Sequence, residues 1–279
     1  MAEENTIQEG RVDRSLAGKV ALVVGAGCSG PGWGTGKAIA VHLARLGASV
    51  LGMDIKAAAA AETGEVIARE GGRYHSIQGD ATSETDAQTA VETCVGHFGS
   101  VDILVNNLGI GKIGGVVDTT LADWERVFGV NVTSAFLMSR AAVPKMIQAG
   151  GGSIVNISSI GSNRWTGVPL LAYSASKAAM NQLTQQTAMQ HAARGIRANA
   201  VLPGMIMTPM MLAPMRQHYG ADVEEVVRKR DAMVPTGKMG SAWDIAYTVG
   251  FLASDESRFI NGVVLPVDGG LSCQISAPI

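Results

Sequence analysis

The chain has 279 residues, 47% hydrophobic and 16% charged, which excludes a disordered polypeptide and provides for a large buried core. Its 22 basic and 24 acidic side chains leave a formal charge of −2, without the basic excess of a nucleic-acid binder. Three cysteines, Cys28, Cys94 and Cys273, make no disulfide framework and fit a reducing, cytoplasmic compartment. The polar, acidic start of the chain predicts a flexible segment over residues 1–15 rather than a signal peptide. No uncharged apolar run reaches the roughly 18 residues of a membrane span.

From there, short apolar runs alternate with helical patterns. Strands are predicted at 19–24, 49–53, 101–105, 153–157, 196–202 and 263–267, with a weaker one at 74–78. Helices are predicted between them at 37–46, 57–70, 84–98, 121–148 and 171–194. Val- and Ile-rich runs without polar alternation belong to strands buried on both faces. Strand and helix in alternation, with short links, predict an α/β fold with a doubly wound parallel sheet. No linker or internal repeat divides residues 16–279, which read as one domain. Residues 205–239, rich in methionine, interrupt the alternation before the last strand.

In such a sheet, ligands bind beyond the carboxyl ends of the strands. After the first strand comes a glycine-rich loop, Gly25-Ala-Gly27-Cys-Ser-Gly30-Pro-Gly32-Trp-Gly34-Thr35-Gly36, and a helix follows. Glycines let backbone amides approach a phosphate, and a helix start aims its positive end at one. The second strand ends at Asp54, an acid placed to accept from ribose hydroxyls and to repel a 2′-phosphate, which favours NAD over NADP. Ser158 and Ser159 follow the strand at 153–157. Tyr173 and Lys177 stand at i and i+4 and share one helix face. A phenol with an ordinary pKa of about 10 is a poor base at neutral pH. A neighbouring ammonium lowers that value, so the pair makes an acid/base group. The histidines show no paired metal-ligand spacing, so no metal site is expected.

The order of these features resembles the short-chain dehydrogenase/reductase family, in its single-domain form, over nearly the whole chain. The segments that carry the likeness are Gly25-Ala-Gly27, Gly34-Thr35-Gly36, Gly79-Asp80, Asn106-Asn107-Leu108-Gly109, Asn131-Val132, Ser158-Ser159, Tyr173 to Lys177, Pro203-Gly204 and Val267-Asp268-Gly269-Gly270. The resemblance implies a Rossmann fold and an NAD-dependent oxidoreductase that interconverts a secondary alcohol and a ketone. Tyr173 would be the acid/base, Ser159 would hold the substrate oxygen, and Lys177 would bind the nicotinamide ribose. Asn131 would hold a water that relays protons from Lys177, or alternatively satisfy helix backbone groups as a buried asparagine. Gly25, Gly34, Thr35, Gly36, Asp54, Asp80, Ala81, Asn107 and Gly109 would bind the cofactor with Tyr173 and Lys177, and Pro203, Gly204, Ile206 and Thr208 would face its nicotinamide end. Asp80 has a second reading as a helix cap. The family motif aligns Ser159, rather than Ser158, with the catalytic serine.

The chain also departs from the pattern. Eight residues lie between Gly25 and Gly34, more than the family's usual spacing. The alternative register through Gly30 and Gly32 is disfavoured, because helix reads directly onward from Gly36. Leu108 stands where the family has alanine. The segment 205–239 is expected to form a substrate lid. Its methionines predict an adaptable apolar pocket, hence a hydrophobic, cyclic or aromatic substrate met by Ser159, Arg164, Trp165, Tyr173, Met205 and Met210. The family likeness implies a homotetramer built on the long helices, with a small-molecule substrate and neither nucleic acid nor membrane as partner. Rival readings are an epimerase or dehydratase of the same fold, which would carry a larger substrate domain, and a silent dinucleotide sensor, which would have lost one of Ser159, Tyr173 or Lys177. An enoyl reductase would space its tyrosine and lysine more widely.

Overall fold

The computed structural model describes residues 15–213 and 222–274. The expected flexible segment 1–15 therefore lies, Ser15 apart, outside the described residues. The strands are β1 (Val20–Val24), β2 (Ser49–Asp54), β3 (Tyr74–Gln78), β4 (Ile103–Asn106), β5 (Gly152–Ile157), β6 (Ile196–Pro203), β7 (Ile206–Met207), β8 (Gly240–Ser241) and β9 (Val264–Val267). Seven of them form one parallel sheet in the order β3-β2-β1-β4-β5-β6-β9. The winding reverses between β1 and β4, which opens a crevice above their carboxyl ends.

Strand side chains alternate between two cores. Val20, Leu22 and Val24 of β1 pack with α3 (Glu84–Phe98) and α5 (Ser134–Gln148) on one face. Ala21 and Val23 pack with α1 (Thr35–Arg45) on the other. Helix α2 (Ala57–Arg69) adds Ile67 to that second face. Helix α6 (Leu171–His191) is tied to the sheet through buried amides: Asn106 Nδ2 donates to Asn156 Oδ1, and Asn156 Nδ2 donates to Thr184 Oγ1, both at 2.8 Å.

Three features differ from the sequence expectation. The helix expected over 121–148 is instead α4 (Leu121–Phe128), a π-helical turn (Gly129–Thr133) and then α5. The wider turn leaves Asn131 fully buried, and its side-chain bonds to another loop repay the irregular backbone. Near the C-terminus, a helix unforeseen in the sequence reading, Ala242–Ala253, buries Ile245, Val249 and Leu252 against α1 and the sheet. This helix, α8, follows α7 (Val223–Met233), which buries none of its residues. Finally, β7 and β8 pair in parallel, Ile206 with Gly240 and Met207 with Ser241, and close the base of the 205–239 excursion.

Candidate active site

The carboxyl ends of β1, β2, β4, β5 and β6 deliver the expected residues to one edge of the sheet. At the end of β1, the Gly25 carbonyl accepts from Asn107 Nδ2 at 3.1 Å. Gly36 crosses the same point so closely that a Cβ there would lie 1.8 Å from the Gly25 oxygen. Helix α1 begins at Thr35 with Gly34 as its N-cap, the register through Gly34 and Gly36. Unlike α3, α4 and α8, which Ser83, Thr120 and Ser241 cap, α1 has no side-chain cap and no acid in its first turn. Its first amides are therefore left for an anion. Asp54 accepts from the amides of Gly27 and Lys56, each at 3.0 Å, and retains carboxylate lone pairs for a hydroxyl donor. An uncapped helix start, a crowded glycine cradle and an acid beside them fit a dinucleotide.

Asp80 makes a turn of its own: Oδ1 accepts from the Thr82 amide at 2.9 Å and from the Thr82 hydroxyl at 2.7 Å. The cap of α3 is Ser83, whose hydroxyl accepts from the Asp86 amide, so the cap reading of Asp80 does not hold. Ala81 is buried in the core beside α3.

Along extended backbone, consecutive side chains point to opposite sides, and this separates the two serines. Ser158 is buried and donates to the Lys177 carbonyl at 3.1 Å. Ser159 accepts from the Gly161 amide at 3.1 Å and stands on the side of the Tyr173 phenol, whose pKa it lowers. Burial pushes the Tyr173 phenol above its usual pKa, and Ser159 acts in the opposite direction.

Lys177 is buried, with its ammonium 5.9 Å from the Tyr173 ring centroid. It donates to the carbonyls of Leu108 and Ile157, at 2.9 and 2.8 Å. A Cβ on Gly109 would approach Lys177 Nζ to 3.3 Å, so glycine there clears the path of the side chain. Burial lowers the Lys177 pKa to about 7. The expected lowering of the tyrosine by this ammonium is thus corrected for the protein alone. The amine faces backbone oxygens, and desolvation of the phenolate is the largest effect on the phenol.

Asn131 grips the loop after β4. Its Oδ1 accepts from the Ile110 amide at 2.8 Å, and its Nδ2 donates to the Ile110 carbonyl at 3.0 Å and to Ser176 Oγ at 2.9 Å. Ile110 follows Leu108 and Gly109, which hold and clear Lys177. Asn131 is thus the buried, backbone-satisfying asparagine of the second reading, but the groups it satisfies belong to a loop and not a helix, and one Oδ1 lone pair stays free for a water.

The nicotinamide-side and substrate residues are less convergent. Pro203 ends β6, and the Gly204 amide donates to the Val267 carbonyl at 3.0 Å. Ile206 lies in β7, Met205 accepts from the Gly240 amide, and the Thr208 carbonyl accepts from Met211 and Leu212. Met210 and Trp165 are exposed, as is Arg164. The sequence reading missed the 111–117 loop, where a Cβ on Gly111 would lie 3.6 Å from the Tyr173 ring. Gly114 bridges Leu170, which carries the 111–117 loop alongside the segment entering α6, and Ile113, Val116 and Val117 there are exposed. The signal available was an apolar pair, Val116-Val117, in a turn.

A family model described as enoyl-(acyl carrier protein) reductase matches residues 30–272. A solved Burkholderia xenovorans chain is 43% identical and superposes with a TM-score of 0.90 over 95% of this chain and 100% of its own. The chain belongs to the short-chain dehydrogenase/reductase family. Among its relatives in this family, a cyclohexanol dehydrogenase from Acinetobacter is 34% identical, covering 90% of this chain and 94% of the relative. A 2-(S)-hydroxypropyl-CoM dehydrogenase from Xanthobacter autotrophicus is 37% identical over 88% of this chain and 94% of its own. Short-chain dehydrogenases/reductases are oxidoreductases that use nicotinamide dinucleotides, the cofactor class that the glycine cradle and Asp54 fit.

Proposed function

We propose that the protein is an NAD-dependent dehydrogenase that interconverts a hydrophobic secondary alcohol and its ketone. The observation that carries this reading is the placement of Lys177 beside the Tyr173 phenol, its Nζ 5.9 Å from that ring, with Ser159 rather than Ser158 left to act on the phenol. When bound, the nicotinamide dinucleotide accepts or returns the hydride. Tyr173 takes the hydroxyl proton in oxidation and returns it to the oxyanion in reduction. Ser159 hydrogen-bonds the same substrate oxygen and holds it beside the phenol. Lys177 binds the nicotinamide ribose, and Asn131 positions the loop that carries the carbonyl of Leu108. Four residues from Tyr173 to Lys177 favour this chemistry over the enoyl reduction in the family model's description.

Asp54 supports NAD over NADP, because a carboxylate at that point repels a 2′-phosphate. Exposed Ile113, Val116, Val117 and Met210 and the methionines of the proposed lid support an apolar substrate, and a cyclohexanol dehydrogenase is among the relatives. Met215 of that set lies outside the described residues. Leu121, Phe136 and Met189, exposed on α4, α5 and α6, support a homotetramer, and three free cysteines support a cytoplasmic location.

An absorbance screen of NADH formation across secondary alcohols tests the reaction. Tyr173→Phe abolishes turnover of every alcohol found and leaves NADH binding within about threefold. Turnover that survives the substitution defeats the assignment. Tighter binding of NADPH than of NADH by fluorescence titration defeats the role of Asp54.

A further inference from the structure

The residues that lengthen the glycine loop reach two points on the 205–239 excursion. A Cβ on Gly30 would sit 3.5 Å from Pro209 Cβ, and one on Gly32 would sit 3.6 Å from Pro209 Cγ. The loop backbone thus passes over Pro209, at the outset of the excursion. At the end of the loop, the ring of Trp33 packs on Trp243, with centroids 4.7 Å apart and planes tilted by 57°. Cations flank this pair. Lys37 Nζ lies 5.3 Å from the Trp33 centroid, and the Arg45 guanidinium lies 4.8 Å from that of Trp243. Trp243 stands in the first turn of α8, two residues beyond Ser241, the β8 residue that pairs with Met207 of β7. The loop is therefore fastened to the beginning of the excursion and to its base.

We propose that residues 28–33 form a clasp that retains the dinucleotide, with Trp33 as its positioning residue. The proposal rests on the dinucleotide reading above. One side of the loop borders the cradle made by Gly25, Gly36 and Asp54, and the other side meets Pro209. A dinucleotide seated in the cradle leaves only when the loop parts from Pro209, and the Trp33–Trp243 contact resists that movement. Release of the reduced cofactor is thereby coupled to the two contacts of the loop, with Pro209 and with Trp243.

Stopped-flow displacement of NADH from the full-length protein tests the clasp. Trp33→Ala accelerates NADH release about tenfold, in line with loss of an aromatic and a cation–π contact. Trp33→Phe, which keeps a ring, stays within about twofold of the parent. In steady state, Trp33→Ala raises KM for the dinucleotide without lowering kcat, because faster product release does not slow a release-limited cycle. Pro209→Ala accelerates release less in the Trp33→Ala background than alone, since both contacts fasten the same loop. Release unchanged in Trp33→Ala, or a fall in kcat at constant dinucleotide KM, overturns the clasp while the cofactor reading stands. Failure of the parent protein to bind NADH or NADPH overturns both.

Discussion

Asn131 distinguishes a structural clamp from a proton relay, and Asn131→Ala separates the two. The substitution leaves the Ile110 amide and carbonyl without their side-chain partner. Ser176 Oγ keeps its own bond to the Tyr173 carbonyl at 2.7 Å, so it is not orphaned. Each unpaired buried polar group costs about 1–3 kcal/mol. Ile110 is only part-buried, and water can repair some of the loss, which places the total near 2–3 kcal/mol for the two groups. For a domain of this size, that lowers the melting temperature by roughly 4–12 °C. Activity falls as well, because the loosened loop carries the Leu108 carbonyl that holds Lys177. Differential scanning calorimetry beside alcohol-oxidation kinetics reads both effects. A melting temperature within about 1 °C of the parent, with a large fall in kcat, refutes the clamp as the main role and leaves the relay.

Other outcomes follow from the same geometry. Gly36→Ala places a methyl 1.8 Å from the Gly25 oxygen, so it forces β1 and α1 apart and abolishes NADH binding by fluorescence; retained binding refutes the cradle. The pH dependence has a definite sign. Burial raises the Tyr173 pKa, so kcat/KM for alcohol oxidation climbs as pH rises above neutrality, whereas reduction, which needs the protonated phenol, does not. Burial depresses the Lys177 pKa from 10.5 to about 7. Across that window the unfolded chain binds a proton that the folded chain does not, and stability from this site increases with pH. Relative to Lys177→Met, the parent protein gains up to about 1.4 kcal/mol per pH unit between pH 7 and 10 in urea melts; a flat difference refutes the burial argument.

Much of this architecture is legible along the chain, and the exceptions have physical causes. Strands such as Tyr74–Gln78 and helices such as Glu84–Phe98 have the bounds that periodicity predicts. Helix α8 escapes because AWDIAYTVGFLA is apolar almost all round, so it shows no stripe. Its Ser241–Asp244 capping box was the available signal. The π turn at Gly129–Thr133 escapes because its repayment is tertiary, the grip of Asn131 on Ile110, while local periodicity runs straight through. Strands β7 and β8 hold two residues each, too few for any alternation to register. Arg164, Trp165 and Met210 are exposed, and exposure of this kind has no signature in local sequence.

By itself, the amino-acid order determines the parallel α/β layering, the glycine turn into a helix, and the shared face of Tyr173 and Lys177. These depend on periods of two and 3.6 residues within single elements. Only the tertiary structure decides which serine meets the phenol, and where the lysine amine is spent. The carbonyls that receive that amine lie 69 and 20 residues away in the chain. Desolvation, which moves both the phenol and the amine against the charge that local spacing suggests, exists only once those distant segments close around them.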